Sequence, residues 1–167
     1  MRIRDRLDNA KPCFSFEFFP PKTDAAMDEL FRTVSELAPL EPGFVSVTYG
    51  AAGGTRDLTV EVVTRIQRNL GLPAMAHLTC ASQTRDEIRT LLDRLRDEGI
   101  QNVLALRGDP RPGDRVVPGD QGFASAKELI EFIRGEGYPF CVGAAAYPEG
   151  HPSSPSRRRR TGSPRRG

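Results

Sequence analysis

Phe14-Ser15-Phe16-Glu17-Phe18-Phe19-Pro20-Pro21-Lys22-Thr23-Asp24 holds a strand, a stop and a helix start in one stretch. Apolar Phe14, Phe16 and Phe18 alternate with Ser15 and Glu17 at the two-residue period of a β-strand. Pro20 and Pro21 end it, because proline lacks an amide donor and restricts the residue before it. Thr23 or Asp24 then caps a helix in which Met27, Leu30, Phe31, Val34 and Leu37 recur at three- and four-residue steps, stopping before Pro39. A strand followed by an amphipathic helix is one unit of a parallel β/α repeat.

The repeat continues outward from this unit. Residues 44–49 read as a second strand, followed by a helix over about 57–70 with Leu58, Val62, Ile66 and Leu70 in one stripe and Gly71 beyond its end. Residues 74–79 form a third strand. Thr84-Arg85-Asp86-Glu87 is a capping box opening a helix that carries Ile88, Leu91, Leu92 and Leu95 and stops at Gly99. A fourth strand over 102–106 precedes a loop from Arg107 to Phe123, rich in glycine and proline, and Ser125 to Glu128 reads as a second box opening a helix with Leu129, Phe132 and Ile133. A fifth strand spans 140–146.

Four β/α units plus a strand fit either an open doubly wound sheet or an arc of a barrel. Two features favour the barrel. No strand-to-helix turn carries GxGxxG, and polar residues are spread over all the strand ends: Glu17, Thr48-Tyr49, His77 and Thr79, Arg107-Gly108-Asp109, and Tyr147. The fold class expected is α/β, a partial TIM (β/α)8 barrel, since a complete one takes roughly 250 residues and this chain has 167.

Composition divides the chain at residue 151. Residues 152–167 carry only Pro, Ser, Gly, Thr and Arg and are expected to form a disordered basic tail, leaving 1–151 as a truncated barrel domain. The segment from His151 onward holds six of the 24 Lys and Arg and none of the 22 Asp and Glu, so residues 1–150 carry 18 against 22, a net charge of −4. An acidic domain is not built for specific nucleic-acid binding. The charges at 2, 4, 5, 6 and 8 suggest a flexible lead over Met1 to Ala10. Cys13, Cys80 and Cys141 show no CxxC spacing, and neither a signal-peptide core nor a membrane-spanning run is present, which reads as a reduced cytoplasmic protein.

Glu17 is the sharpest chemical candidate. It lies among Phe14, Phe16, Phe18, Phe19 and Pro20, whose enclosure would raise its pKa and suit it to act as an acid; an exposed or locally paired glutamate is the plainer alternative. Asp109 follows Arg107, which could clamp an anion, and Gly108, which allows close backbone approach; an ordinary Asp-Pro turn is its alternative. Gly50, Gly53 and Gly54 could cradle a phosphate or a flat ring, or simply make a turn. With only His77 and His151 and no HExxH motif, no metal site is expected, and without GxSxG a nucleophilic serine has no support.

Five motifs taken in order, at residues 14–22, 44–51, 76–80, 104–109 and 145–149, resemble those of the 5,10-methylenetetrahydrofolate reductase family over about residues 11–151. The resemblance implies the first half of a β8α8 barrel whose C-terminal half has been lost, with the tail an unrelated end. It implies a flavoprotein in which NADH or NADPH supplies electrons through FAD to reduce 5,10-methylenetetrahydrofolate to 5-methyltetrahydrofolate for methionine synthesis, and which is a homo-oligomer at full length. Glu17 matches the family's general acid, acting on N10 of the folate, and Asp109 its aspartate near flavin and pterin. Thr48, Tyr49, Ala51, His77, Arg107, Gly108, Asp109, Tyr147 and His151 match FAD-contacting positions. Phe123 stands where many members have a flavin-contacting tyrosine, and the family's positions beyond His151 are missing. A catalytically inactive truncated reductase fragment is the competing reading; a phosphate-binding aldolase or isomerase lacks its lysine or paired acids.

Overall fold

The computed structural model describes residues 1–7, 12–49, 56–109, 113, 116–117 and 119–148. Helix α1 (Arg4–Leu7) precedes strand β1 (Ser15–Phe18), α2 (Asp24–Leu37), β2 (Phe44–Val47), α3 (Arg56–Leu70), β3 (Ala74–Thr79), α4 (Arg85–Asp97), β4 (Asn102–Leu106), α5 (Ala126–Gly135) and β5 (Cys141–Ala144). A 3-10 turn, Ala38–Leu40, follows α2. Each of the first four strands is followed by a helix, as the apolar periodicities require.

All five strands are parallel and lie in chain order, β1-β2-β3-β4-β5. That order decides between the two sequence alternatives. A doubly wound sheet reverses direction at a switch point, whereas an unbroken order with right-handed crossovers keeps every helix on one face. The fold is an arc of a (β/α)8 barrel, with β1 and β5 at the edges of the described sheet.

The helix-facing side is the core. Val45 and Val47 on β2, Ala74, Ala76 and Leu78 on β3, and Val103 and Ala105 on β4 join Val34, Ile66, Leu92, Leu95, Leu129 and Ile133 from the helices in one buried cluster. Removing each large aliphatic side chain from water contributes about 1.5–3 kcal/mol. Alanine at 74 and 76 keeps this face of β3 shallow where helices pack on it.

Capping follows the sequence, with one exception. The Thr84 hydroxyl accepts from the Glu87 amide at 3.2 Å while the Glu87 carboxylate accepts from the Thr84 amide at 2.7 Å, a complete box. Ser125 accepts from the Glu128 amide at 3.3 Å, but the Glu128 carboxylate accepts from Ala124 at 2.9 Å instead of from Ser125. The preceding loop presents the Ala124 N–H to that carboxylate, so only half of the second expected box forms.

The expected flexible lead is corrected over residues 1–7. Ile3 is buried, and its amide donates to Oδ1 of Asn102 at 2.8 Å. Asn102, fully buried at the start of β4, also donates through Nδ2 to the carbonyls of Met1 and Ala74, both at 3.1 Å. Arg2 reaches the carbonyl of Pro139 at 3.3 Å. Charge density marks a segment as solvated only when no distant partner awaits it. Here the partner is about a hundred residues away in sequence. Residues 8–11 lie outside the described residues, as does the tail from 149 onward.

Candidate active site

The strand register builds the site. Glu17 is the lateral partner of Ser46 on β2, and Ser46 that of Met75 on β3, so these side chains share the face opposite the helices. His77, two residues along from Met75, returns to the same face one step nearer the C-terminal ends. The Ser46 hydroxyl donates to Oε2 of Glu17 at 3.3 Å, and Nε2 of His77 lies 3.3 Å from the same oxygen.

Glu17 is not enclosed by its phenylalanine neighbours. The alternation that makes β1 a strand sends Phe16 and Phe18 to the opposite face, where Phe18 packs on the helix-side core and Phe16 meets Phe14 edge to face at 5.9 Å. Phe19 is itself exposed, and the Glu17 side chain is left 53% exposed. The expected apolar pocket is absent among the described residues, because sequence neighbours in a strand are not spatial neighbours.

His77 is the inverse case, a polar ring only 8% exposed. Burial lowers its pKa from the ordinary 6.5 by disfavouring the imidazolium, and the nearby Glu17 charge offsets part of that effect. Although Oε2 of Glu17 is within ion-pair distance, the approach is too oblique for a hydrogen bond, and Nε2 is a buried nitrogen without a hydrogen-bond partner among the described residues.

The second half of the rim is a cavity of about 540 Å3 at the C-terminal ends of β4 and β5. Arg107, Gly108, Asp109, Lys127 and Tyr147 line it, together with the start of α5. Arg107 donates to the Gly108 carbonyl and to Oδ1 of Asp109, each at 3.1 Å. Asp109 is 97% exposed, so water screens this pair and it contributes little to stability. Gly108 has φ of +78°, and a Cβ there would lie 3.0 Å from Cβ of Thr79. Both the dihedral and the space demand glycine.

Tyr49 and Thr48 stand at the end of β2. The Tyr49 hydroxyl pairs with Oε1 of Gln83 at 3.4 Å, and the carbonyl of Thr48 accepts from Thr59 at 3.1 Å. Glu17, Thr48, Tyr49 and His77 do not line the β4–β5 cavity, so the candidates fall into two groups along one rim. Phe123 belongs to neither: its ring packs edge to face on Phe132 at 5.3 Å beneath the Arg85 guanidinium. Ala51, His151 and Gly50, Gly53 and Gly54 lie outside the described residues.

Two residues escaped the sequence reading. Ser46 could have been found from the two-residue period, since it is the polar residue on β2 facing inward beside Glu17. Gln83 carries no such signal; its carboxamide is buried and donates to the Thr79 carbonyl at 2.5 Å, tying the ends of β2 and β3 together. Among the described residues no group of three or more His, Cys, Asp or Glu could hold a metal ion, and no helix is long and apolar enough to cross a membrane.

Residues 2–162 match the family model for methylenetetrahydrofolate reductase. This chain belongs to that family. It is 42% identical over 153 residues to methylenetetrahydrofolate reductase (NADH) 1 of Arabidopsis thaliana, covering 90% of this chain and 26% of the relative. With 5,10-methylenetetrahydrofolate reductase of Salmonella typhimurium it is 42% identical over 142 residues, 85% of this chain and 46% of that protein. The Escherichia coli protein of the same description is 41% identical over the same coverage. The chain thus spans about half the length of these bacterial relatives and a quarter of the plant one. Membership in the methylenetetrahydrofolate reductase family makes this an enzyme-family chain.

Proposed function

We propose that this chain carries the first part of a flavin-dependent reductase site that converts 5,10-methylenetetrahydrofolate to 5-methyltetrahydrofolate at the expense of NADH or NADPH. The observation that carries the reading, beside family membership, is the Glu17 carboxyl standing on the inward face within 3.3 Å of both Ser46 and a buried imidazole. A carboxyl at the C-terminal end of a barrel strand, contacted by neutral groups, suits proton donation to a substrate nitrogen.

The rim residues fit FAD. Arg107 and Lys127, with the start of the ten-residue helix α5, present positive charge and backbone donors to a cavity of about 540 Å3, as an anionic dinucleotide requires. Tyr147 offers it an aromatic face. The hydroxyl of Tyr49 is a further polar group on the same rim. FAD, when bound, supplies hydride chemistry that no side chain has. The chain's own part is to bind and orient: Arg107 and Lys127 balance charge, Gly108 admits close approach, Asp109 places a negative charge at the cavity, and Glu17 holds the proton. Folate is the partner substrate; no specific nucleic acid or membrane partner is part of the reading.

A second reading has its own observation. With Glu17 half exposed and β1 and β5 as open edges among the described residues, this chain could be an inactive fragment of the reductase. One titration separates the two. Purified chain is titrated with FAD by flavin fluorescence, then reduced anaerobically with NADH or NADPH and reoxidised with methylenetetrahydrofolate, following flavin absorbance. Saturable binding with both half-reactions supports the reductase reading. Binding without turnover, or no binding, assigns the chain to the inactive fragment.

A further inference from the structure

We propose that His77 and Ser46 are positioning residues for the Glu17 carboxyl, gripping it through Oε2 so that Oε1 delivers the proton. The inference rests on reading Glu17 as the acid, and deepens it.

Three observations converge. Both contacts fall on one oxygen, the Ser46 hydroxyl at 3.3 Å and the His77 ring nitrogen at 3.3 Å, from neighbouring strands whose register is set by the sheet ladder. Ser46 and His77 are buried while Glu17 is half exposed, so the grip is rigid and the acid is the adjustable member. Nε2 of His77 has no hydrogen bond among the described residues, and a buried ring nitrogen left so is costly. The grip requires the exposed Glu17 side chain to turn so that Oε2 meets the N–H direction, which would remove that cost.

The choice of histidine has a chemical reason. A lysine or arginine beside Glu17 would hold the carboxyl ionised and spoil it as a donor. Burial keeps His77 neutral, so it offers an N–H without a positive charge. When Glu17 passes its proton from Oε1 to the substrate nitrogen, the electron pair of the broken O–H bond stays on the carboxylate. The Ser46 O–H and His77 N–H then become charge-assisted hydrogen bonds to Oε2, which strengthen as charge develops. The other groups around the imidazole do not titrate: its lateral partner on β4 is Leu104, and β2 contributes Ser46. Glu17 is the one charge among the described residues that acts on its titration.

The test is heteronuclear NMR of the unliganded full chain, whose two histidines are resolved by the His77→Gln variant. At neutral pH His77 should be the Nε2–H tautomer. Glu17→Gln should lower the His77 midpoint by about 0.5 pH unit or more, the scale of one unit charge at this distance in a partly solvated site, without moving His151. Ser46→Ala and His77→Leu should each raise the midpoint of the Glu17 carboxyl, and His77→Gln, which keeps an N–H, should restore it towards the starting value. An Nδ1–H tautomer with bare Nε2, or a His77 midpoint unmoved by Glu17→Gln, overturns the proposal. So does a Glu17 midpoint unmoved by Ser46→Ala, a change that removes one buried hydroxyl and little volume and serves if His77→Leu does not fold. None of these readouts needs flavin. Coupling found in a chain that fails to bind FAD would leave the pair standing and remove the reductase reading instead.

Discussion

Asn102 and Ile3, far apart in sequence, meet through a 2.8 Å hydrogen bond from the Ile3 amide to the Asn102 side chain, at the foot of β4 and opposite the polar rim. The same carboxamide binds the carbonyls of Met1 and Ala74, so one side chain fastens the N-terminal segment to two strands. In a β/α barrel, that end concerns stability and the other end concerns chemistry.

Asn102→Ala should therefore destabilise the chain by about 2–4 kcal/mol, since it leaves buried donors and acceptors without partners. Urea denaturation measures the loss. Hydrogen exchange at the Ile3 amide should accelerate more than at amides of α4, and equal acceleration everywhere would show that the contact is not local.

Gly108→Ala should cost about 1–2 kcal/mol from the left-handed dihedral alone, with a further penalty from the 3.0 Å approach to Thr79. The displaced loop should also weaken binding of FAD or of its adenosine diphosphate portion in an isothermal titration. Unchanged stability and affinity together would remove Gly108 from the site.

The three cysteines should separate by reactivity. Burial pushes the Cys80 thiol up to about 11, so almost none is thiolate at neutral pH, whereas Cys13 is exposed. With a chromogenic disulfide reagent at pH 7.5, Cys13 should react first, half-buried Cys141 more slowly, and Cys80 only on unfolding. Rapid labelling of Cys80 in the folded chain, located by mass spectrometry, would contradict the packing around the end of β3.

Stability should fall with acid through His77. Its folded-state pKa is lowered by burial below the ordinary 6.5, so as pH drops the unfolded chain binds the proton first. The contribution is complete above about 6.5 and declines below it, until the folded-state imidazole protonates as well. Urea midpoints at pH 7.5 and 5.5 should differ more for the parent than for His77→Gln; equal differences would show that the imidazole is not the group responsible.

Much of the fold was legible because its signals are local. The alternation of Phe14 to Phe18, the Thr84 to Glu87 box and the leucines of α4 each involve residues within one turn or one strand, and each formed where read. The same locality explains the failures. Glu17 sits among phenylalanines in sequence, yet the strand's own alternation places Phe16 and Phe18 on the other face. The Glu128 carboxylate found the Ala124 amide in place of the Ser125 amide because the incoming loop presents it.

By itself the amino-acid sequence determined which segments are strands and helices, the parallel β/α rhythm, and the polar residues at the strand ends, since periodicity, caps and proline stops act over a few residues. Only the tertiary structure decided the order of the strands in one continuous arc, the docking of Ile3 on Asn102, and the convergence of Ser46 and His77 on one oxygen of Glu17. Those relations depend on lateral register and burial, which join residues tens of positions apart and leave no mark on their sequence neighbours.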